Sequence, residues 1–140
     1  MRDNIFIDSN IIVYARVQKD VIKHEQAKSL LIAHASDNIF ISTQVLNETY
    51  NAMRKNGIDD SRIRKTIDGC IARMNVLPVD VETVQQCFVI KERYGFSYWD
   101  SLILSAALLG GCSVVYSEDM QNDQVVNGKV KILNPFLIGS

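Results

Sequence analysis

The stretch Ile5-Phe6-Ile7-Asp8-Ser9-Asn10 constrains the fold more than any other. Three apolar residues, two of them β-branched, form the pattern of a short buried strand. The run ends abruptly in a carboxylate. An ionised carboxylate taken out of water without a partner is costly. A chain that puts an acid there must also supply something to compensate it. A metal ion is the leading candidate, provided that other acids reach the same point.

The remainder alternates short apolar strands with helices. Strands are expected at residues 4–8, 38–41, 76–79 and 113–116, with a final edge strand at 130–133. Helices are expected at 11–15, 21–35, 43–55, 59–74, 81–93 and 98–109. Ser42 or Thr43, Asp59, Asp80 and Ser97 suit helix starts. Gly57, Gly95 and the pair Gly110-Gly111 suit helix ends. A polar loop covers 117–128, and the tail 134–137 reads as extended. This alternation is the signature of an α/β domain on a mostly parallel sheet. At 140 residues the chain makes one domain, 1–140. In such sheets the ligand lies beyond the carboxyl ends of the strands, near a switch point in strand order. Asp8 and the run Ser117-Glu118-Asp119 both sit at such ends.

A hydrophobic fraction of 47% argues against disorder, and a net charge of −1 excludes a globally basic nucleic-acid binder. A nucleic-acid partner would have to be held by local patches or through metal ions. Cys70, Cys87 and Cys112 are odd in number and lack CxxC spacing, so they read as reduced, packed thiols. No signal-peptide pattern precedes the first strand, and the longest apolar run is too short for a bilayer. The expected location is cytoplasmic.

Four acids deserve weighing. Asp8 suits a helix N-cap as well as a ligand site. Glu48 lies in a helix on the side shared by Val45, Thr49 and Ala52, yet it could be an exposed helix charge. Asp100 fits capping-box spacing with Ser97, but it shares a face with Ile103, Leu104 and Ala107 on a helix apolar nearly all round. Asp119 belongs to a turn cluster with Glu118, Asn122 and Asp123. Each reading is ordinary alone; together the four face one edge. Clustered carboxylates raise one another's pKa unless a cation neutralises them. Oxygen ligands suit Mg²⁺ or Mn²⁺ rather than zinc. His24 and His34 have no metal-ligand partner nearby in sequence. The chemistry that fits is phosphodiester hydrolysis by a metal-activated water.

The pieces IFIDSNIIVYA, STQVLNETYN, FSYWDSLILSAAL, VVYSEDMQND and ILNPF occur in the order and spacing of a known family. The chain resembles the PIN domain and, within it, the small VapC-type toxins of toxin–antitoxin pairs. The resemblance implies a three-layer α/β/α sandwich and a carboxylate pocket of Asp8, Glu48, Asp100 and Asp119. Asp8, Asp100 and Asp119 would ligate the metal, with Asn10 and Ser117 in support. It also implies an Mg²⁺- or Mn²⁺-dependent endoribonuclease acting on RNA, a homodimer, and a cognate antitoxin in a groove of helices 21–35 and 43–55. Glu118 and Asp123 are rival acids for the last position, where Asp119 is favoured.

Two other functions fit the same residues less well. One is a PIN-fold module that binds RNA or a partner without cleaving. The other is an aspartyl-phosphate phosphatase of the haloacid-dehalogenase type, which usually has a second Asp where this chain has Asn10. Arg54-Lys55 and Arg62/Arg64/Lys65 are the densest basic clusters, and both read first as solvated helix faces. Tyr98 and Trp99 could stack on bases, although core or dimer contacts are the favoured reading.

Overall fold

The computed structural model describes residues 2–137. The elements run β1 (Asn4–Ile7), α1 (Ser9–Arg16), α2 (Val21–Ala33), β2 (Asn38–Ser42), α3 (Thr43–Lys55), α4 (Asp60–Arg73) and β3 (Asn75–Leu77). Then come α5 (Val81–Tyr94), α6 (Tyr98–Leu109), β4 (Val114–Tyr116), β5 (Val125–Val126), β6 (Val130–Leu133) and a 3₁₀ turn, Pro135–Leu137.

Polar caps set the helix starts. Asp20, Ser42, Asp59, Asp80 and Ser97 each accept a backbone N–H from the first turn. Gly95 closes α5 at φ +77°, a conformation open to glycine at no steric cost.

The six strands form one sheet in the order β3-β2-β1-β4-β6-β5. All pairings are parallel except β5 with β6. The chain moves outward from β1 to β2 to β3, then returns past β1 to β4. Right-handed crossovers therefore place α1–α4 on one face and α5–α6 on the other. The packing agrees: α1 contacts α2 and α3, α3 contacts α4, and α5 pairs with α6. The result is the expected α/β/α sandwich. Its core joins Phe6, Ile7, Ile41, Val115 and Ile132 from the strands to Ile11, Val45, Ile103 and Leu104 from the helices. In α6 every residue from Ser101 to Ala107 is buried, as its composition foretold.

Two expectations need correction. The strand at 130–133 is not the edge: β5 pairs outside it and is itself the edge. The signal was Asn127-Gly128, whose φ values of 53° and 64° make the mirror-type turn that suits a tight hairpin. Nor is the tail extended. Asn134 Oδ1 accepts from Phe136 N–H at 2.9 Å and starts the 3₁₀ turn. Phe136 then packs edge-on against Tyr14, ring centroids 5.0 Å apart.

Among the described residues no helix is long and apolar enough to cross a membrane. All three cysteines are buried, and burial pushes the Cys112 thiol up to about 12.

Candidate active site

The strand order reverses between β1 and β4, which are hydrogen-bonded neighbours. Asp8 follows β1 and Ser117 follows β4, so the switch point brings them together. Asp8 is 4% exposed. Its Oδ1 accepts from Ser9 N–H at 2.7 Å, which makes it the N-cap of α1. Its Oδ2 accepts from the Ser117 hydroxyl at 2.8 Å. Asp8 is thus both the cap of α1 and a member of the acidic cluster. Burial pushes its carboxyl up to about 6 against the pull of those two donors, and the charges of Glu48 and Asp119 add to the rise.

Glu48 stands on α3, half-buried beside the buried Val45 and Thr49. Burial raises its carboxyl, the Gln44 amide opposes this, and the charges of Asp100 and Asp119 reinforce it. Gln44 donates from Nε2 to Glu48 Oε1 at 2.6 Å and to the Trp99 carbonyl at 3.1 Å. That residue was missed from sequence, although its spacing four before Glu48 was visible. Asp100, also half-buried, rises through burial and the charge of Asp119, opposed by the Ser97 hydroxyl. Its N–H donates to Ser97 Oγ at 3.1 Å, so capping and a place in the cluster coexist.

Asp119 is the exposed member. Asn10 Nδ2 donates to its Oδ2 at 3.2 Å, while Asn10 Oδ1 accepts from Glu118 N–H at 3.4 Å. Ser117 Oγ accepts from Asp119 N–H at 3.3 Å. The two supporting residues therefore tie the β4 loop to Asp8 and α1. The rivals are engaged elsewhere. Glu118 pairs with Lys23 and accepts from the Tyr14 hydroxyl at 2.8 Å. Asp123 pairs with Lys131 at 3.5 Å.

Asp8 thus feels the charges of Glu48 and Asp119, Glu48 those of Asp100 and Asp119, and Asp100 that of Asp119, which links the four acids as electrostatic neighbours. The gathering is loose: among the described residues no three Asp, Glu, His or Cys side chains form a ready ligand set. Zinc sites are built mostly on His and Cys, and among the described residues no His or Cys joins these four acids. Mg²⁺ or Mn²⁺ fits, because Mg²⁺ binds through one or two carboxylates and keeps several waters.

Clefts flank the acids on both sides. One of about 720 Å³ includes Glu48, Gln44 and Trp99 in its walls. Another of about 610 Å³ includes Asn10, Asp119, Tyr14 and Ala52. The latter is floored by α1, which lies between the two helices expected to form a partner groove. Farther off, Arg16, Lys28, Arg62 and Lys65 line a basic cleft of about 400 Å³. Arg54 and Arg64 are instead paired with Asp60 and Asp68, at 3.9 and 3.8 Å. Trp99 is 63% exposed and so is not a core residue of this chain.

Comparison with known proteins bears on the family and the fold. No curated protein matches the chain. Solved structures do. The chain is similar to one in a toxin–antitoxin complex from Klebsiella pneumoniae, with TM-score 0.69 and 18% identity over 93% of this chain and 96% of that one. It is similar to VapC20 of Mycobacterium tuberculosis, described as a sarcin–ricin-loop-cleaving toxin, with TM-score 0.66 and 20% identity over 79% and 86%. DNA-bound VapBC from Salmonella typhimurium gives TM-score 0.66 and 20% identity over 94% and 97%. At these identities the likeness establishes a shared fold. The PIN domain model matches residues 5–126, most of the chain and a span that contains all four acids. The protein belongs to the PIN domain family.

Proposed function

We propose that this protein is a metal-dependent endoribonuclease, the toxin of a toxin–antitoxin pair. The observation that carries this reading is Asp8: a buried acid at the switch point, coupled to Glu48 and Asp119, which in turn are coupled to Asp100. A protein with no use for a cation there would gain stability by losing those charges. When bound, Mg²⁺ or Mn²⁺ would lower the pKa of water and offset charge on the phosphate and leaving oxygen. Asp8, Asp100 and Asp119 are the ligands we assign to it, and binding would draw their loose gathering together around the ion. Glu48, half-buried and hydrogen-bonded by Gln44, would accept a proton from water. Asn10 and Ser117 fix the orientation of Asp119 and Asp8.

The basic cleft of Arg16, Lys28, Arg62 and Lys65 supplies phosphate contacts away from the acids. The structural neighbours include chains from antitoxin complexes, which supports an antitoxin as partner. The α1-floored cleft, with Val13, Tyr14, Val17 and Ala52 among its walls, is the place we assign to it. A homodimer is part of the same proposal.

The test is cleavage of total RNA by the purified protein with Mn²⁺ or Mg²⁺, followed by sequencing of the new ends. Wild-type protein should cut at few sites. Folded Asp8→Asn protein should not. Cleavage that persists in Asp8→Asn or after exhaustive chelation overturns the reading.

A further inference from the structure

We propose that the cleft beside Glu48 receives one nucleobase of the substrate, with Trp99 as its stacking platform and Asn47 and Asn51 as readers of its edge. The idea rests on the ribonuclease reading and names the substrate contact within it.

Trp99 sits in the first turn of α6, directly before Asp100. At 63% exposure its ring contributes little to the core. The ring is nevertheless held. Tyr98 meets it edge-on, centroids 5.0 Å apart and planes at 88°, and Tyr98 in turn leans on Phe88 at 5.7 Å. The Trp99 carbonyl accepts from Gln44 at 3.1 Å, which anchors the platform to α3. An exposed indole braced in this way is ordered before anything binds, so little rotamer entropy is lost on contact.

Gln44, Asn47 and Asn51 recur at intervals of three and four on α3 and line the same cleft as Trp99. Gln44 is committed to Glu48 and Trp99. Asn47 and Asn51 are exposed, and among the described residues their amides have no hydrogen-bond partner. Each amide offers both a donor and an acceptor, which is what the edge of a base requires. No lysine or arginine lines the cleft, so it is not built for phosphate. Glu48 in the same wall sets the bound base beside the acids.

Trp99 is the only tryptophan, so its fluorescence reports this cleft alone. The probes are short single-stranded homopolymers of A, C and U, and an abasic ribose-phosphate strand of the same length. They are titrated into Asp8→Asn protein to prevent cleavage. At least one homopolymer should quench the tryptophan, and the abasic strand should not. In that background Trp99→Ala should weaken homopolymer binding about five- to hundredfold and leave abasic binding unchanged. Trp99→Phe should restore much of the loss. Asn47→Ala and Asn51→Ala should alter the ranking of A, C and U.

If wild-type protein cleaves RNA while fluorescence is unmoved and abasic and homopolymer strands bind alike, the pocket is wrong and the ribonuclease reading stands. If fluorescence follows protein concentration rather than RNA, and Trp99→Ala turns a sedimenting dimer into monomer, a second copy covers the indole and the pocket is overturned. If wild-type protein neither binds nor cleaves RNA, both fail.

Discussion

The Ser117 hydroxyl donates to Asp8 Oδ2 at 2.8 Å, joining residues 109 positions apart across the point where strand order reverses. Removing that donor leaves a buried carboxylate with one partner fewer. Ser117→Ala should destabilise the fold by about 1–3 kcal/mol near neutral pH. Urea denaturation at matched pH measures it. A loss under a few tenths would mean that the hydroxyl is incidental.

Asp8 makes stability depend on pH with an unusual sign. Its carboxyl lies near 6 in the folded chain against 3.8 for the free group. Below 3.8 it is neutral in both states and costs nothing. As pH rises to about 6 the unfolded chain ionises first, and the folded state loses about 3 kcal/mol, order of magnitude. Asp8→Asn can still cap α1. Without divalent ions it should be more stable than wild type above pH 6, the gain fading towards pH 4. Thermal denaturation across that range should show the two curves converging. Parallel curves would place the ionised Asp8 in a well-compensated site.

The other acids should matter for chemistry more than for folding. Asp100→Asn, Asp119→Asn and Glu48→Gln should each cut RNA cleavage by about 100-fold or more while circular dichroism is unchanged. Asp100→Asn and Asp119→Asn should also weaken Mn²⁺ binding in calorimetry, whereas Glu48→Gln should affect it least. Equal loss of Mn²⁺ affinity in all three would make Glu48 a ligand instead of a proton acceptor.

Glu118 supplies a control. It is engaged with Lys23 and Tyr14. Glu118→Gln should keep the cleavage rate within about twofold, and so should Asp123→Asn. Abolished cleavage in either, in a folded protein, would move the fourth acid away from Asp119.

Phosphate contacts should show as salt dependence. Arg62→Ala and Lys65→Ala should each weaken single-stranded RNA binding and lessen the slope of log affinity against log salt by about 0.7. Arg64→Ala, on a residue paired with Asp68, should change neither. Filter binding over a salt series separates them.

The main features of this protein were legible because strong local signals agreed with one another. Strand 1 with Asp8, the capped helices and the apolar α6 each carried its own period or punctuation, and a parallel α/β order followed. Asp8 and Asp119 could be placed because sheet topology alone puts strand ends on one side. β5 was hidden because two residues have no period, although Asn127-Gly128 announced the turn. Gln44 was hidden because its role lies in bonds to Glu48 and to a carbonyl 55 positions on. The competition among Asp119, Glu118 and Asp123 could not be settled from a run of acids in a loop. What favours Asp119 is that Glu118 pairs with Lys23 and Tyr14 and Asp123 with Lys131, contacts distant or unpatterned in sequence.

The separation of 109 positions between Asp8 and Ser117 also governs when the site can assemble. During synthesis, Asp8 and Glu48 emerge early, while Asp100 and Asp119 emerge in the final third. β4 must then dock beside β1 before the two halves of the site meet. At about 5–20 residues per second, a growing chain spends most of its time on the ribosome with half a site and no closed sheet. A chain truncated before β4 would lack Asp119 and the Ser117 partner of Asp8, so on the proposed reading the capacity to cut would come only once β4 has docked.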